Sequence, residues 1–313
     1  MGWYLYGRKT LMFKLKKSLL ISLFLFACSL SFSEITAEYK NLGFSGINKP
    51  QVAQLRKKYL TTHKDWLYNV LDDGECYRIY IRNELEKRKM PAILEYLPLV
   101  ESNYNPYAKS RSGATGLWQF MSNSVQGLLT YNEYVDERLD PWKSTHAALT
   151  KLNDNYKMFG DWLIAIAAYN CGAGAMKKAI KKAGKKDFWY LSEHGYISEQ
   201  ASSYVPKLLA VADVAENAEY YGVKMPTARA WNGKTLETRA GIYEYVYVKS
   251  SISLRRLASE LRIDEKMFLD MNSALVKGVT PPNKQYAIRV PEGMKDFVLY
   301  TLNELGVFAI KQN

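Results

Sequence analysis

The carboxyl group of Glu101 has the sequence surroundings of a general acid. It follows the apolar run LPLV at residues 97–100 and precedes the loop-like run SNYNP at residues 102–106. A carboxyl group at the end of an apolar helix is poorly hydrated, which disfavours its charged form and raises its pKa. Proton donation near neutral pH requires such a rise, because a glutamate with the ordinary pKa of about 4.3 has already lost its proton. The same local sequence would also suit a glutamate at the end of a surface helix.

Two later segments could complete a site around this carboxyl group. The segment GATGLWQFM at residues 113–121 offers glycines for close backbone approach, a wall of Trp, Phe and Met side chains, and the amide of Gln119, which can hold a sugar substituent. The segment AAYNCGAG at residues 167–174 ends an apolar helix with Tyr169 and Asn170. Buried polar groups need partners, so these two side chains are either structural or complete the hydrogen bonds around the acid.

Four other acidic residues are candidates for a second catalytic carboxylate, which an ordinary hydrolase would need. Glu95 lies six residues before Glu101, so on a helix it would point away from it. Asp136, Glu137 and Asp140 lie in a polar stretch, where Asp140 precedes a proline and is typical of a helix cap. We expect structural roles for all four.

Taken together, these segments resemble the lytic transglycosylase family, and within it the membrane-bound type D branch, which has a goose-lysozyme-like fold with an SLT domain. The match runs from about Pro91 to Leu209, with the segments at 101–102, 116–121 and 168–170 in the family's order. Three shorter motifs also fit this branch: Asp136-Glu137-Arg138, Asp140-Pro141 and Tyr204-Val205-Pro206-Lys207-Leu208.

The resemblance implies cleavage of the β-1,4 bond between N-acetylmuramic acid and N-acetylglucosamine in peptidoglycan, leaving a 1,6-anhydro sugar end. Glu101 would act alone, first as acid and then as base. A muramidase that cuts the same bond with water, or a peptidoglycan-binding scaffold without activity, are the alternatives.

The resemblance also implies a role for each substrate-binding candidate. Ser102 would orient Glu101 or the substrate, and Gln119 would contact an N-acetyl or hydroxyl group. Tyr169 would fix the orientation of the acid, while Asn170 and Tyr204 would line the cleft.

The elements that position these residues are predicted to be mainly α-helical. Pro91 fits the first turn of a helix that Pro98 should kink, and further helices are expected at 141–159, 162–170 and 198–220. From about residue 227 the pattern changes to a strand at 243–248, two short helices (253–261 and 264–272) and a second strand at 286–290.

The predicted fold is therefore a lysozyme-like helical domain followed by a small α+β (β-α-α-β) domain. This small domain resembles a LysM module. The expected divisions are residues 1–33 as a signal peptide, 34–90 as an arm and packing helices, 91–234 as the catalytic domain, and 235–313 as the LysM-like domain with a C-terminal helix.

The start of the chain resembles a secretory signal peptide. Three lysines within residues 14–17 precede an apolar run at residues 19–28 that is shorter than the roughly 20 residues of a membrane-spanning helix. Met12 is an alternative start. Cleavage after Ser33 would release a soluble protein, lipidation of Cys28 would attach it to the outer membrane, and an uncleaved leader would remain an anchor. Each route predicts export to the periplasm or cell envelope.

Composition and charge limit the function classes. A chain of 313 residues with 48% hydrophobic and 24% charged residues is typical of a globular protein. Its net charge is +12, of which five charges lie in the leader, so the processed protein carries about +7. Such a charge favours polyanionic partners. For an exported protein the cell wall is the expected partner, and export argues against nucleic acid.

No cofactor or metal is implied, because the three histidines His63, His146 and His194 have no metal-ligand spacing. Cys76 and Cys171 could pair outside the cytoplasm. We expect a monomer.

Overall fold

The chain between Pro50 and Glu216 is built from helices. A computed structural model of the protein describes residues 37–226, 243–307 and 309–310. The α-helices of the first range are α1 (Pro50–Leu60), α2 (Lys64–Asp73), α3 (Glu75–Lys87), α4 (Leu97–Ser102), α5 (Pro141–Phe159), α6 (Trp162–Cys171), α7 (Ala173–Ala183), α8 (Phe188–Glu193) and α9 (Glu199–Glu216). Short 3-10 helices span Ala92–Tyr96, Ser122–Ser124 and Glu137–Leu139. The predicted mainly helical fold is confirmed.

Helix α5 has the predicted bounds because both of its ends are fixed by local chemistry. The Asp140 carboxylate accepts hydrogen bonds of 3.0 Å from the backbone N–H groups of Trp142 and Lys143. Pro141 occupies the first turn, and Gly160 ends the helix at φ 65°.

Helix α6 forms the centre of the helical core. Its residues from Leu163 to Tyr169 are buried, and it packs against α5 and α9. Gly172 ends it at φ 86°. The next helix, α7, begins at Ala173.

The region around Pro98 differs from the prediction of one kinked helix. A 3-10 helix at Ala92–Tyr96 ends, and the separate helix α4 begins at Leu97. Pro98 lies in the first turn of α4, where its missing N–H would have had no intrahelical partner. The proline therefore begins a short helix, and Glu101 lies in the last turn of that helix.

The C-terminal region has the predicted β-α-α-β order, followed by a helix and a short strand. Its elements are β1 (Tyr243–Val248), α10 (Leu254–Leu261), α11 (Glu265–Met271), β2 (Tyr286–Pro291), α12 (Lys295–Glu304) and β3 (Ala309–Ile310). The strands pair antiparallel in the order β2-β1-β3. Val246 of β1 lies opposite Ile288 of β2, and both are buried in a hydrophobic cluster separate from that of the helices.

The C-terminal region is joined to the segment that precedes α5. Arg289 forms a buried ion pair with Asp140, the residue that caps α5. Ser273 donates a hydrogen bond of 2.8 Å to the Leu139 carbonyl, and the Asp136 N–H donates one of 2.8 Å to the Ala274 carbonyl. The same short segment therefore contacts both cores.

Several sequence predictions lie outside the described residues. These are the signal peptide at residues 1–33, the lipidation of Cys28, the alternative start at Met12 and the domain boundary near residue 235. Among the helices that the structure describes, none combines the length and the apolar character needed to span a bilayer. Cys76 and Cys171, both within the described part, do not form a disulfide with each other.

Candidate active site

Glu101 faces a cleft of about 670 Å³ in the helical region between Pro50 and Glu216. Helix α4 ends one residue later, and Asn103 adopts the left-handed conformation (φ 53°) that often terminates a helix. Residues from five parts of the chain line the cleft: Val100, Glu101, Ser110, Ser112, Ala114, Gln119, Phe120, Met121, Asn123, Ser124, Lys151, Tyr169, Asn170, Cys171, Gly172, Gln200, Tyr204 and Lys207. Three segments singled out from the sequence, around residues 101, 119 and 169, therefore do meet.

The carboxyl group of Glu101 is held by a phenol. The Tyr204 hydroxyl donates a hydrogen bond of 2.5 Å to Glu101 Oε1. Burial raises the pKa of Glu101 to about 7, against smaller lowering effects from this hydrogen bond and from the positive charge of Lys151. Burial also raises the pKa of Tyr204 well above 10, so the phenol remains a donor. Near neutral pH a large fraction of Glu101 therefore carries a proton, as a general acid requires.

Tyr169 has a different partner from the one expected. Its hydroxyl donates a hydrogen bond of 2.9 Å to the Trp118 carbonyl, whereas the hydrogen bond to Glu101 comes from Tyr204. Tyr169 lines the cleft beside Asn170. Tyr204 therefore binds the carboxyl group of Glu101, and Tyr169 binds the backbone of the segment that lines the cleft.

Ser102 lies outside the lining of the cleft. Its hydroxyl donates hydrogen bonds to the carbonyl groups of Leu117 (2.9 Å) and Pro98 (3.1 Å). The first of these bonds ties the end of α4 to the segment 116–121. Ser102 therefore contacts the backbone that supports the acid, not the acid itself.

Gln119 lines the cleft with its side-chain nitrogen already engaged. The amide nitrogen donates to the carbonyl groups of Ala108 (3.1 Å) and Gly116 (2.9 Å), and the residue has a positive φ of 49°. The amide oxygen has no hydrogen-bond partner among the described residues. That oxygen is the part of the side chain available to a ligand N–H or hydroxyl group.

The wall around Gln119 depends on a close backbone approach at Gly116. A Cβ atom there would lie 1.8 Å from the Arg138 carbonyl oxygen, and the φ of +85° also favours glycine. The Arg138 side chain donates to the Phe120 carbonyl (3.2 Å) and forms an ion pair of 2.7 Å with Asp136. Asp136 thus stabilises the backbone of this segment indirectly, by holding the Arg138 side chain in place.

Trp118 belongs to the core rather than to the apolar wall expected for it. It is fully buried, and its indole N–H donates a hydrogen bond of 2.9 Å to the hydroxyl of Thr145 on α5. Phe120 and Met121, from the same segment, do line the cleft.

The four other acidic candidates are engaged away from Glu101. Glu95 is fully buried between Arg78 and Arg82, Asp136 pairs with Arg138, Glu137 pairs with Lys143, and Asp140 pairs with Arg289. Among the described residues that line the cleft, Glu101 has the only carboxyl group.

Two lysines and one glutamine that line the cleft were not predicted from the sequence. Lys151 of α5 lies over the rings of Phe120 and Tyr169, 5.5 and 5.4 Å from their centroids. A lysine in the middle of a long helix carries no local signal for this position. Gln200 and Lys207 could have been found, because they lie four residues before and three residues after Tyr204, on the same face of α9.

Comparison with known families finds similarity to a transglycosylase domain. The family model described as Transglycosylase SLT domain matches residues 78–192. These residues include Glu101, Gln119 and Tyr169, and Tyr204 lies beyond the matched range.

Two curated proteins extend the similarity. Membrane-bound lytic murein transglycosylase D of Escherichia coli strain K12 is 37% identical over 237 residues, which are 74% of this chain and 49% of that protein. Peptidoglycan transglycosylase gp16 of Escherichia phage T7 is 31% identical over 156 residues, which are 48% of this chain and 11% of that protein. The chain spans about half the length of the first of these relatives.

A solved structure can also be aligned. It is an inactive mutant of lytic transglycosylase Slt from Pseudomonas aeruginosa, with 21% identity and a TM-score of 0.39 over 49% of this chain and 25% of that chain.

Proposed function

We propose that this protein is a peptidoglycan lytic transglycosylase. It cleaves the β-1,4 bond between N-acetylmuramic acid and N-acetylglucosamine and leaves a 1,6-anhydro end. One observation carries the proposal: a single carboxyl group, with a pKa raised to about 7 and held by Tyr204, faces a cleft lined by polar and aromatic side chains. The SLT domain match and the similarity to membrane-bound lytic murein transglycosylase D agree with it.

In the first step the protonated Glu101 donates its proton to the glycosidic oxygen. The bond from this oxygen to C1 of N-acetylmuramic acid breaks, and N-acetylglucosamine leaves with a new hydroxyl group. Glu101 becomes a carboxylate, which the Tyr204 hydrogen bond and the positive charge of Lys151 stabilise. The acetamido group of the substrate stabilises the positive charge at C1.

In the second step the Glu101 carboxylate removes the proton from the C6 hydroxyl of the same sugar. The C6 oxygen bonds to C1, which closes the anhydro ring and returns the proton to Glu101. No water is consumed, and a second carboxylate is not required. Glycosidases that hydrolyse their substrate use a pair of carboxyl groups in most families, with substrate-assisted enzymes among the exceptions.

Ser102, Gln119, Tyr169 and Asn170 complete the proposed site. Ser102 and Tyr169 position the backbone around the acid through their bonds to Leu117 and Trp118. The free amide oxygen of Gln119 accepts a hydrogen bond from the sugar, and Asn170 contacts it from α6.

Digestion of purified cell-wall sacculi followed by mass spectrometry tests the reaction. The proposal predicts fragments that end in 1,6-anhydro-N-acetylmuramic acid and have one water less than hydrolytic products. Reducing ends without this mass difference would instead identify a muramidase.

A Glu101→Gln variant separates the enzyme from a binding scaffold without activity. The amide keeps the shape of the side chain but has no proton to donate. We expect the variant to bind sacculi while its rate falls about 10²-fold or more, the usual contribution of general acid catalysis. An unchanged rate in this variant would assign the acid to another residue.

The rest of the chain has proposed roles that follow from the same similarity. We assign the β-α-α-β region after residue 235 as a LysM-like module, residues 1–33 as a signal peptide, and the protein as a monomer in the periplasm or cell envelope. Lipid attachment through Cys28 would link it to the outer membrane.

A further inference from the structure

The cleft around Glu101 carries more positive than negative charge. Among the described lining residues, Glu101, Lys151 and Lys207 are the side chains that carry a charge near neutral pH. The two lysines come from different helices, α5 and α9. Two cations beside one half-protonated acid are more than the proton transfer needs.

Lys151 is a cation without a counter-ion. It is partly buried and lies over two aromatic rings, and it has no hydrogen bond or ion pair among the described residues. Burial lowers its pKa, an effect that Glu101 partly opposes. A partly buried ammonium group loses hydration that the ring faces replace only in part. A ligand carboxylate would restore the missing interaction.

Lys207 is directed to the cleft by the geometry of its helix. Gln200, Tyr204 and Lys207 are spaced by four and then three residues, so they form one stripe on α9, and all three line the cleft. Lys207 is exposed and likewise has no ion-pair partner among the described residues. Since Tyr204 binds Glu101, Lys207 lies one turn from the residue that holds the acid.

Resting on the proposed function, we propose that Lys151 and Lys207 form a recognition site for carboxylate groups carried by the substrate strand. Strands of peptidoglycan carry carboxylates on their peptides, or on the lactyl group where the peptide has been removed. Uncharged amino-sugar polymers such as chitin have neither. The lysines would therefore make the enzyme select carboxylate-bearing strands through charge-assisted hydrogen bonds.

A solvated helix face is the alternative explanation for any pair of lysines, and the chain supplies a control for it. Lys177 and Lys181 of α7 are exposed, and neither lines the cleft. Replacing them removes the same charge from the protein without touching the cleft.

Binding measurements in the Glu101→Gln background avoid turnover of the ligand. Three ligands are compared by calorimetry at low and high salt: a peptide-bearing glycan oligomer, the same oligomer after amidase treatment, and chitotetraose. We expect the Lys151→Gln/Lys207→Gln double variant to bind at least one of the two carboxylate-bearing oligomers, peptide-bearing or amidase-treated, about tenfold more weakly at low salt. Chitotetraose binding should change less than twofold, and added salt should reduce the difference between the proteins.

The comparison among ligands identifies the source of the carboxylate. A loss confined to the peptide-bearing oligomer supports recognition of peptide carboxylates, and a loss with the amidase-treated oligomer supports the lactyl carboxylate. The Lys151→Arg/Lys207→Arg variant keeps both charges and should retain binding. Unchanged binding of all three ligands in the Lys151→Gln/Lys207→Gln variant would overturn the proposal. So would an equal loss for chitotetraose, or an equal loss in Lys177→Gln/Lys181→Gln.

The sacculus digestion keeps this inference separate from the proposed function. If the parent protein makes anhydro ends while the Lys151→Gln/Lys207→Gln variant binds all three ligands normally, only the lysine assignment is wrong. If the parent makes ordinary reducing ends while the carboxylate preference depends on the lysines, the reaction is wrong and the recognition site stands.

Discussion

Two glutamates six residues apart have opposite surroundings in this protein. Glu95 is fully buried, and both of its carboxylate oxygens contact arginines: Arg78 Nε at 3.1 Å and Arg82 Nε at 2.6 Å. Glu101 faces the cleft with one phenol as its hydrogen-bond partner, and Lys151 is not within ion-pair distance of it. The two groups share a side-chain type and a neighbourhood in the sequence, yet one is held by two arginines and the other faces the cleft.

The difference shows that the partners of a buried carboxyl group decide its role. Two guanidinium groups compensate the lost hydration of Glu95 and fix it as part of an ion-paired cluster. Glu101 has no such compensation, so burial disfavours its charged form and raises its pKa to about 7. The number of cations within hydrogen-bond distance therefore distinguishes the proposed catalytic acid, Glu101, from the structural acid, Glu95.

The largest effect on stability is expected when the Glu95 cluster is broken. Glu95→Gln removes the negative charge but leaves Arg78, with 2% of its side chain exposed, in the core. We expect the free energy of unfolding to fall by about 3–5 kcal/mol in urea denaturation. The control is Glu193→Gln, which removes an exposed partner of Lys49 and should cost less than about 1 kcal/mol. Equal losses in the two variants would contradict the structural role of Glu95.

The next effect has the opposite sign, because the same substitution at Glu101 should stabilise the protein. The folded-state pKa is about 7 and the pKa of an unperturbed glutamate is about 4.3–4.5, so folding at intermediate pH takes up a proton. Protonation of Glu101 therefore contributes to the free energy of unfolding in full below about pH 4.5. This contribution, on the order of 3 kcal/mol, is lost as the pH rises through 7. Glu101→Gln removes this dependence. Its gain over the parent in urea denaturation should be absent at pH 4 and largest at pH 8.

The elements around Glu101 could be predicted from the sequence where local chemistry decides their ends. Asp140 followed by Pro141, together with Gly160 at the other end, defines α5 (Pro141–Phe159) without help from the rest of the fold. The apolar helix before Glu101 likewise indicated poor hydration of its carboxyl group. At Pro98 the local rule allows two solutions, a kink or a helix start; the predicted kink is wrong, because the proline lies in the first turn of α4.

The contacts that the sequence could not predict are all long-range. Tyr169 and Tyr204 both follow the family pattern, but only tertiary packing determines which hydroxyl reaches Glu101. Lys151 enters the cleft because α5 packs beside α6, and Asp140 binds Arg289 across 149 residues. A linear pattern contains no information on such distances.

A smaller effect is expected from Tyr204→Phe, which tests the phenol of the cleft. The Tyr204 hydrogen bond lowers the pKa of Glu101, so its loss should raise that pKa and move the alkaline limb of the kcat/KM profile to higher pH. We expect kcat to fall roughly tenfold because the carboxylate formed in the first step loses its donor. Tyr169→Phe is the matched control, since its hydroxyl bonds Trp118 and should leave the limb in position. A shift in Tyr169→Phe alone would reverse the roles of the two tyrosines.

The smallest effect should come from Lys151→Gln. The lysine lowers the pKa of Glu101 by its charge alone, so removing it should move the alkaline limb upward by less than about one pH unit. Lys207→Gln should not move the limb, because Lys207 is not among the groups that shift the pKa of Glu101. A downward shift in Lys151→Gln would mean that the lysine does not stabilise the carboxylate.

Direct titration of the Glu101 carboxyl group is the most decisive measurement. Carbon-13 labelling of the glutamate carboxyls and NMR spectra from pH 3 to pH 9 would follow it, with Glu101→Gln used to assign its signal. A midpoint near pH 7 is the predicted result. A midpoint near 4.5 would contradict the account, because the group would then have lost the proton that it must donate.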